Sequence, residues 1–179
     1  FFRNGYGEYF SDEAFYPFWD AVAALQIPVF WVFLGDSPVG GFKEEMGLFR
    51  KWLERYPHIP SVLVHGLPTA LFADAQDRII IPDYMLEILR DYPVYSEVLY
   101  PIGWGGKSEY PYTRAQNHIR ALYEQLGPDY LIWGSDMPNV ERYCTYRQSL
   151  SYIEHCDFLG PDDRRKILGA TMRALCGQT

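Results

Sequence analysis

The sequence predicts an α/β fold in which parallel strands alternate with helices, and three observations support this prediction. First, four short apolar runs rich in β-branched or aromatic residues have the composition of buried strands. Second, stretches with the apolar spacing of helices separate these runs, and each stretch ends near a Pro or Gly. Third, most of the runs are apolar almost without interruption, which is typical of parallel strands covered on both faces.

The predicted elements follow one another in a regular order without a dividing linker. The predicted strands are 27–34, 61–65, 94–99 and 130–133. The predicted helices are 15–25, 43–55, 82–90, 113–126, 146–155 and 161–176. We therefore expect a single domain over residues 1–179.

The number of predicted strands bears on whether the sheet closes into a barrel. Alternating strands and helices imply right-handed crossovers between parallel strands. A closed barrel of this kind commonly has eight strands in about 250 residues. With four predicted strands, either the sheet is open or the other half of a barrel lies outside this chain.

Composition and charge exclude several classes of partner. A formal net charge of −7 and a pI near 5.0 argue against a nucleic-acid backbone or an anionic membrane surface, since both attract clustered Lys and Arg. The longest apolar run, 27–34, is too short to span a bilayer, and no charged-then-apolar leader opens the chain. Cys144, Cys156 and Cys176 form no CxxC pair, which favours reduced thiols in a cytoplasm.

Polar side chains at the carboxyl ends of the strands are the strongest candidates for chemistry. His65 ends the second strand, Glu97 lies in the third, and Asp136 follows the fourth after a Gly-Ser step. Both open α/β sheets and barrels place their sites at this end of the strands. We therefore expect an imidazole and two carboxylates to meet at one rim, as acid, base or cation ligands.

Each of these residues also has a structural interpretation that the sequence leaves open. Asp136 could be a turn or N-cap aspartate before Pro138. His65 could be a core histidine that bonds a carbonyl group. Glu97 could be a core glutamate paired with an arginine, because an unpaired buried charge is costly.

Residues further along are candidates for contacts with a substrate. Arg142, Tyr146 and Arg147 follow Asp136 and could clamp a substrate carboxylate, although such arginines more often form surface ion pairs. Glu97 is also a candidate for substrate contact, and Trp104 is a candidate for the rim of the pocket.

The remaining nucleophiles and imidazoles are not expected to take part. His58, His118 and His155 fall on predicted helices or helix ends and are interpreted as surface residues. Cys144 has no partner histidine at a recognisable spacing, which disfavours cysteine nucleophilic chemistry.

Three segments resemble one known family. Leu131-Ile-Trp-Gly-Ser-Asp-Met-Pro138 resembles the last-strand motif of the amidohydrolase-2 family, which includes aromatic-acid decarboxylases and lactone or amide hydrolases. Val62-Leu-Val-His-Gly66 is similar to that family's sixth strand, and the region from Arg165 to Gly177 is similar to its closing helix. The resemblance implies the C-terminal half of a (β/α)8 TIM-type barrel, strands five to eight.

The resemblance also implies roles for individual residues. In that family the last-strand aspartate, here Asp136, binds a divalent metal, usually zinc and alternatively manganese. The sixth-strand histidine, here His65, acts as base or polarises the substrate. The family usually ends strand five with a metal-ligating histidine, whereas this chain has Val32 after Pro28-Val-Phe-Trp. A metal held by Asp136 alone would be weak, because zinc sites normally have three or four protein ligands.

We therefore expect the chain to be one half of an enzyme. That enzyme is a metal-dependent hydrolase or nonoxidative decarboxylase acting on a small aromatic or carboxylated substrate. Its site would be completed by N-terminal strands or by a partner chain. A half-barrel exposes strand edges and an apolar face, so we also expect an oligomer. Two alternatives remain: a catalytically silent scaffold or partner subunit without metal, as Val32 suggests, and a piece of a longer gene product.

Overall fold

A computed structural model of the chain describes residues 10–33, 41–98 and 109–178. Their contacts divide them into two compact units. The first unit comprises 10–33, 41–64 and 84–95, and the second comprises 65–83, 96–98 and 109–178. Each unit has its own buried side chains.

Strands and helices alternate along the described residues. The main elements are α1 (Tyr16–Leu25), β1 (Val29–Val32), α2 (Phe42–Arg55), β2 (Ser61–Val64), α3 (Thr69–Phe72), α4 (Asp83–Asp91), β3 (Val94–Val98), α5 (Thr113–Leu126), β4 (Leu131–Trp133), α6 (Tyr146–Glu154), α7 (Pro161–Arg165) and α8 (Thr171–Leu175). Short 3-10 helices lie at Glu13–Phe15, Pro128–Tyr130 and Asn139–Arg142. None of the helices described is long and apolar enough to cross a membrane.

The strands confirm the predicted parallel α/β arrangement. In the first unit β1 pairs parallel with β2, and Val29 lies opposite Ser61. In the second unit the end of β3 pairs parallel with β4, and Glu97 lies opposite Ile132. The strand order is β1-β2-β3-β4, so neighbours in sequence are neighbours in the sheet. β1 begins two residues later than predicted, at Val29, β2 ends one residue earlier, at Val64, and β4 begins one residue later, at Leu131.

An aromatic cluster forms the core of the first unit. Trp31 in β1 is 0% exposed, and its ring lies 4.8 Å from that of Trp52, 5.2 Å from Phe49 and 5.3 Å from Trp19. Its indole N–H donates to Ser61 Oγ at 3.1 Å, which satisfies the polar atom of an otherwise apolar side chain. Much of the aromatic content of this part of the chain therefore serves packing.

The C-terminal helical region differs from the prediction. The sequence predicts a continuous helix over 161–176, but the structure has α7, then a π-helical turn at Lys166–Ala170, then α8. Gly169 adopts a φ of 153°, which is not helical. Because only glycine adopts this region readily, the break is accommodated at the one residue in the segment without a side chain.

The prediction for His118 is wrong. His118 is 2% exposed on α5, where it shares the buried face with Ala115, Ile119 and Leu122. Its Nδ1 lies 3.3 Å from Thr69 Oγ1, and burial lowers its pKa. The helical spacing of His118 from these apolar neighbours was the signal for burial. His58 and His155 are exposed, as predicted.

Candidate active site

The structure brings two of the three strand-end candidates into direct contact in the second unit. His65 directly follows β2, Glu97 is the penultimate residue of β3, and Asp136 follows β4. The backbone N–H of His65 donates to Glu97 Oε2 at 2.6 Å. The Asp136 carboxylate is near enough to raise the pKa of Glu97. Glu97 therefore contacts the His65 backbone and has Asp136 as a charged neighbour.

His65 and Asp136 share an uncommon backbone conformation. The φ of His65 is 67° and that of Asp136 is 52°, both in the left-handed region. A residue with a side chain in such a region costs on the order of 1–3 kcal/mol, and these residues are concentrated at functional sites. Histidine and aspartate are among the residue types that tolerate it best. Both strand ends are therefore followed by a polar residue whose backbone conformation carries an energetic cost.

Gly134 lies directly against the Glu97 side chain. A Cβ placed on Gly134 would overlap Oε1 and Cδ of Glu97 and would lie 2.8 Å from its Cγ. The backbone N–H of Gly134 donates to Val98 O at 3.1 Å, which extends the pairing of β3 with β4 by one residue. The carboxyl group of Glu97 thus occupies the space where a side chain at 134 would begin.

Partial burial sets the protonation of Glu97. Loss of hydration raises the pKa of Glu97, and the nearby Asp136 carboxylate raises it further. The hydrogen bond from the His65 backbone lowers the pKa of Glu97, and the electrostatic effect of the His65 ring lowers it as well. The net direction is upward, so the carboxyl group is protonated more easily than an exposed glutamate.

Asp136 does not cap the helix that follows it. The 3-10 helix Asn139–Arg142 has Pro138 as its N-cap, and no side chain bonds its N-terminus. Asp136 Oδ1 instead accepts a hydrogen bond from the Asn139 side-chain amide at 3.2 Å. The N-cap interpretation of Asp136 is therefore wrong, and its carboxylate lies in a partly exposed turn beyond β4.

His65 is exposed, which removes the core-histidine alternative. Among the described residues, no hydrogen bond to the His65 ring is found. The hydrogen bond of His65 comes from its backbone nitrogen. A neutral imidazole has one nitrogen that donates a hydrogen bond and one that accepts. The exposed His65 ring is therefore able to form hydrogen bonds with a bound molecule.

The candidates for substrate contact occupy different environments. The Tyr146 ring meets the ring of Trp133 edge to face at 5.7 Å, and Arg142 is exposed. Arg147 Nη2 lies 2.9 Å from Glu154 Oε2, the surface ion pair considered as its alternative role. Trp104 lies outside the described residues.

The described residues do not form a metal site by themselves. In 10–33, 41–98 and 109–178 no group of three His, Cys, Asp or Glu residues is placed to hold an ion. A zinc ion normally takes three or four protein ligands, whereas the predicted ligand Asp136 would supply one. Val32 is the last residue of β1 and offers no ligand atom. The residues that the structure describes therefore do not fit a resident ion without further ligands.

The two buried cysteines are not placed for nucleophilic chemistry. All three are free thiols, and Cys144 and Cys156 are buried. Burial raises the pKa of Cys144 and raises that of Cys156 to about 12. Buried neutral thiols are poor nucleophiles, which agrees with the sequence-based interpretation of Cys144.

Sequence reasoning missed Gly134. A glycine at a strand end is a known signal that another group approaches the backbone closely. The motif Trp133-Gly-Ser-Asp136 contained that signal, but the group that approaches, Glu97, depends on the pairing of β3 with β4.

Comparison with known proteins identifies a family. A family model described as Amidohydrolase matches residues 3–176, nearly the whole chain. A search of curated proteins found no match.

Solved structures of an amidohydrolase and of decarboxylases are similar in fold to the chain. A zinc-bound amidohydrolase from Burkholderia multivorans aligns with a TM-score of 0.67 at 20% identity, over 95% of this chain and 60% of that one. The 2,6-dihydroxybenzoate decarboxylase from Rhizobium aligns with a TM-score of 0.63 at 15% identity, over 98% and 59%. A dihydroxybenzoic acid decarboxylase from Polaromonas, with manganese and 2-nitroresorcinol bound, aligns with a TM-score of 0.59 at 14% identity, over 97% and 56%. The chain thus spans about 60% of these proteins, as predicted for part of a barrel.

Proposed function

Because the chain belongs to the amidohydrolase family, we propose that it carries one half of the active site of a hydrolase or nonoxidative decarboxylase. The substrate is a small aromatic or carboxylated molecule. The observation that carries this proposal is the hydrogen bond from the His65 backbone to Glu97 at the strand ends, in the same unit in which Asp136 follows β4. Similar structures that act on, or are named for, dihydroxybenzoates support the substrate class.

The proposed roles follow from the chemistry of each side chain. His65 exchanges a proton with the substrate, since its ring is exposed and an imidazole has nitrogen atoms that can donate and accept. Arg142 binds a substrate carboxylate through its guanidinium group. Tyr146, held edge to face against Trp133, lines the position of an aromatic ring. Arg147 contributes to substrate binding only if its ion pair with Glu154 breaks.

We propose that a divalent ion is shared between this chain and residues beyond the described ones. Asp136 supplies one carboxylate ligand, and the remaining ligands come from N-terminal strands or a partner subunit. Zinc and manganese are both candidates, since similar structures hold one or the other. With these N-terminal strands or this partner subunit included, the assembled protein is larger than the 20.9 kDa of this chain. The free thiols support our proposal of a cytoplasmic location.

One observation favours a second candidate function. Val32 ends β1, where the family resemblance leads us to expect a metal-ligating histidine. A chain that keeps the fold but not the ion would be a catalytically silent scaffold or partner subunit.

Metal removal from the assembled protein distinguishes the two functions. The assay follows CO₂ release from hydroxybenzoates and hydrolysis of small lactones, before and after chelation and after addition of zinc or manganese. We expect turnover in one substrate class, a loss of about 100-fold or more on chelation, and recovery with one of the ions. Absence of turnover in both classes by protein that holds no ion contradicts the enzymatic proposal and supports the silent subunit.

A further inference from the structure

We propose that Glu97 is a positioning residue that holds the His65 turn through its main chain, and that residue 134 is glycine because the Glu97 carboxyl group needs its space. This inference rests on the proposed role of His65 in proton transfer. It gives Glu97 a role other than the substrate contact that the sequence suggests.

The His65 turn needs an external acceptor to stay in place. His65 and Gly66 are successive left-handed residues, with φ values of 67° and 71°. The His65 N–H donates to Glu97 Oε2 at 2.6 Å, a short hydrogen bond. Removing the acceptor leaves a donor unpaired and a strained turn unsupported.

The position of Glu97 is itself set by β4. Glu97 lies opposite Ile132, and Oε1 of Glu97 faces Gly134 just beyond the end of β4. The φ of Gly134 is outside the left-handed region, so its backbone conformation does not call for glycine. The overlap that a Cβ would make with Glu97 is the reason that the structure offers.

Both oxygens of Glu97 therefore lie close to the protein backbone. Oε2 accepts from the His65 backbone, and Oε1 lies over Gly134. This arrangement leaves the imidazole of His65 exposed while its backbone is held. Glu97 thus affects proton transfer indirectly, because it holds the backbone of His65 in place.

Substitutions of Glu97 separate positioning from substrate binding in the assembled enzyme. We expect Glu97→Ala to lower kcat on the order of 10- to 100-fold with little change in KM, since a misplaced proton-transfer group loses rate rather than affinity. Glu97→Gln keeps the shape and one acceptor oxygen, and we expect it to restore most of the kcat lost in Glu97→Ala. A Gln variant as damaged as the Ala variant, or an effect confined to KM, overturns the proposal.

A double-mutant cycle with Gly134 tests the second half of the proposal. We expect Gly134→Ala to lower kcat about as much as Glu97→Ala, because the new methyl group displaces the carboxyl group. In the Glu97→Ala background the same methyl group meets empty space, and the added loss is below about threefold. Equal losses in both backgrounds contradict the coupling. Gly47→Ala on α2 is the matched control, because a Cβ there meets no atom within 4 Å.

A readout without turnover keeps this inference separate from the proposed function. Backbone amide exchange of His65 is followed by NMR on the assembled protein with ¹⁵N-labelled histidine, and His65→Gln identifies the signal. We expect exchange at least about tenfold faster in Glu97→Ala and Gly134→Ala than in the unmodified protein, with Glu97→Gln in between. Unchanged exchange in Glu97→Ala overturns the positioning role even if the enzyme turns over substrate. Faster exchange supports it even if no substrate is found.

Discussion

We expect the replacement of Asp136 by Asn to lower kcat/KM of the proposed assembled enzyme by about 10³-fold or more, roughly 4 kcal/mol of transition-state stabilisation. Asparagine keeps the size of the side chain and tolerates the left-handed φ of 52° at this position. Its amide oxygen can still accept the hydrogen bond from Asn139. The substitution therefore removes the negative charge and leaves the fold in place.

A second aspartate in the same unit provides the control for Asp136→Asn. Asp129 is exposed and lies 2.6 Å from Lys166 in a surface ion pair. Asp129→Asn removes a charge of the same type, and surface pairs contribute only about 0–1 kcal/mol. We expect its kcat/KM to match that of the unmodified enzyme. If Asp136→Asn also stays within about threefold, Asp136 is not part of the catalytic machinery.

Replacing Trp31 by Ala destabilises the protein by about 3–5 kcal/mol, as expected for a large side chain removed from a packed core. Trp31 is fully buried among the rings of the first unit, and Ser61 loses the indole donor as well. Urea unfolding followed by near-ultraviolet circular dichroism measures the loss, because that signal reports ordered aromatic packing.

Leu25→Ala is the control for the core substitution. Leu25 ends α1 and is exposed, so its removal should cost less than about 1 kcal/mol. A loss for Trp31→Ala no larger than that of Leu25→Ala contradicts the assignment of the aromatic cluster as the core.

The sequence predicted the order and type of the main elements because their signals are local. The apolar run that ends at Val64 and the stripe of α5 from Thr113 to Leu126 can be read without knowing what they contact. The same reasoning found His65, Glu97 and Asp136, since parallel strands end on one side of a sheet.

Features that depend on pairing and packing were not predictable in the same way. The contact of Gly134 with Glu97 follows from the register of β3 against β4, which composition does not determine. The break at Gly169 interrupts a segment whose residues otherwise continue a helical pattern. The burial of His118 was encoded in its spacing, but a polar residue type outweighed that signal.

The location of a bound ion is the most direct test of the proposed active site. Crystals of the assembled protein, grown with manganese or zinc, allow anomalous diffraction at the absorption edge of the metal. We expect one peak within about 2.0–2.2 Å of an Asp136 carboxylate oxygen, with further ligands from outside the described residues and with His65 facing the same space. A peak elsewhere, or full occupancy with Asp136 turned away from the ion, contradicts the site.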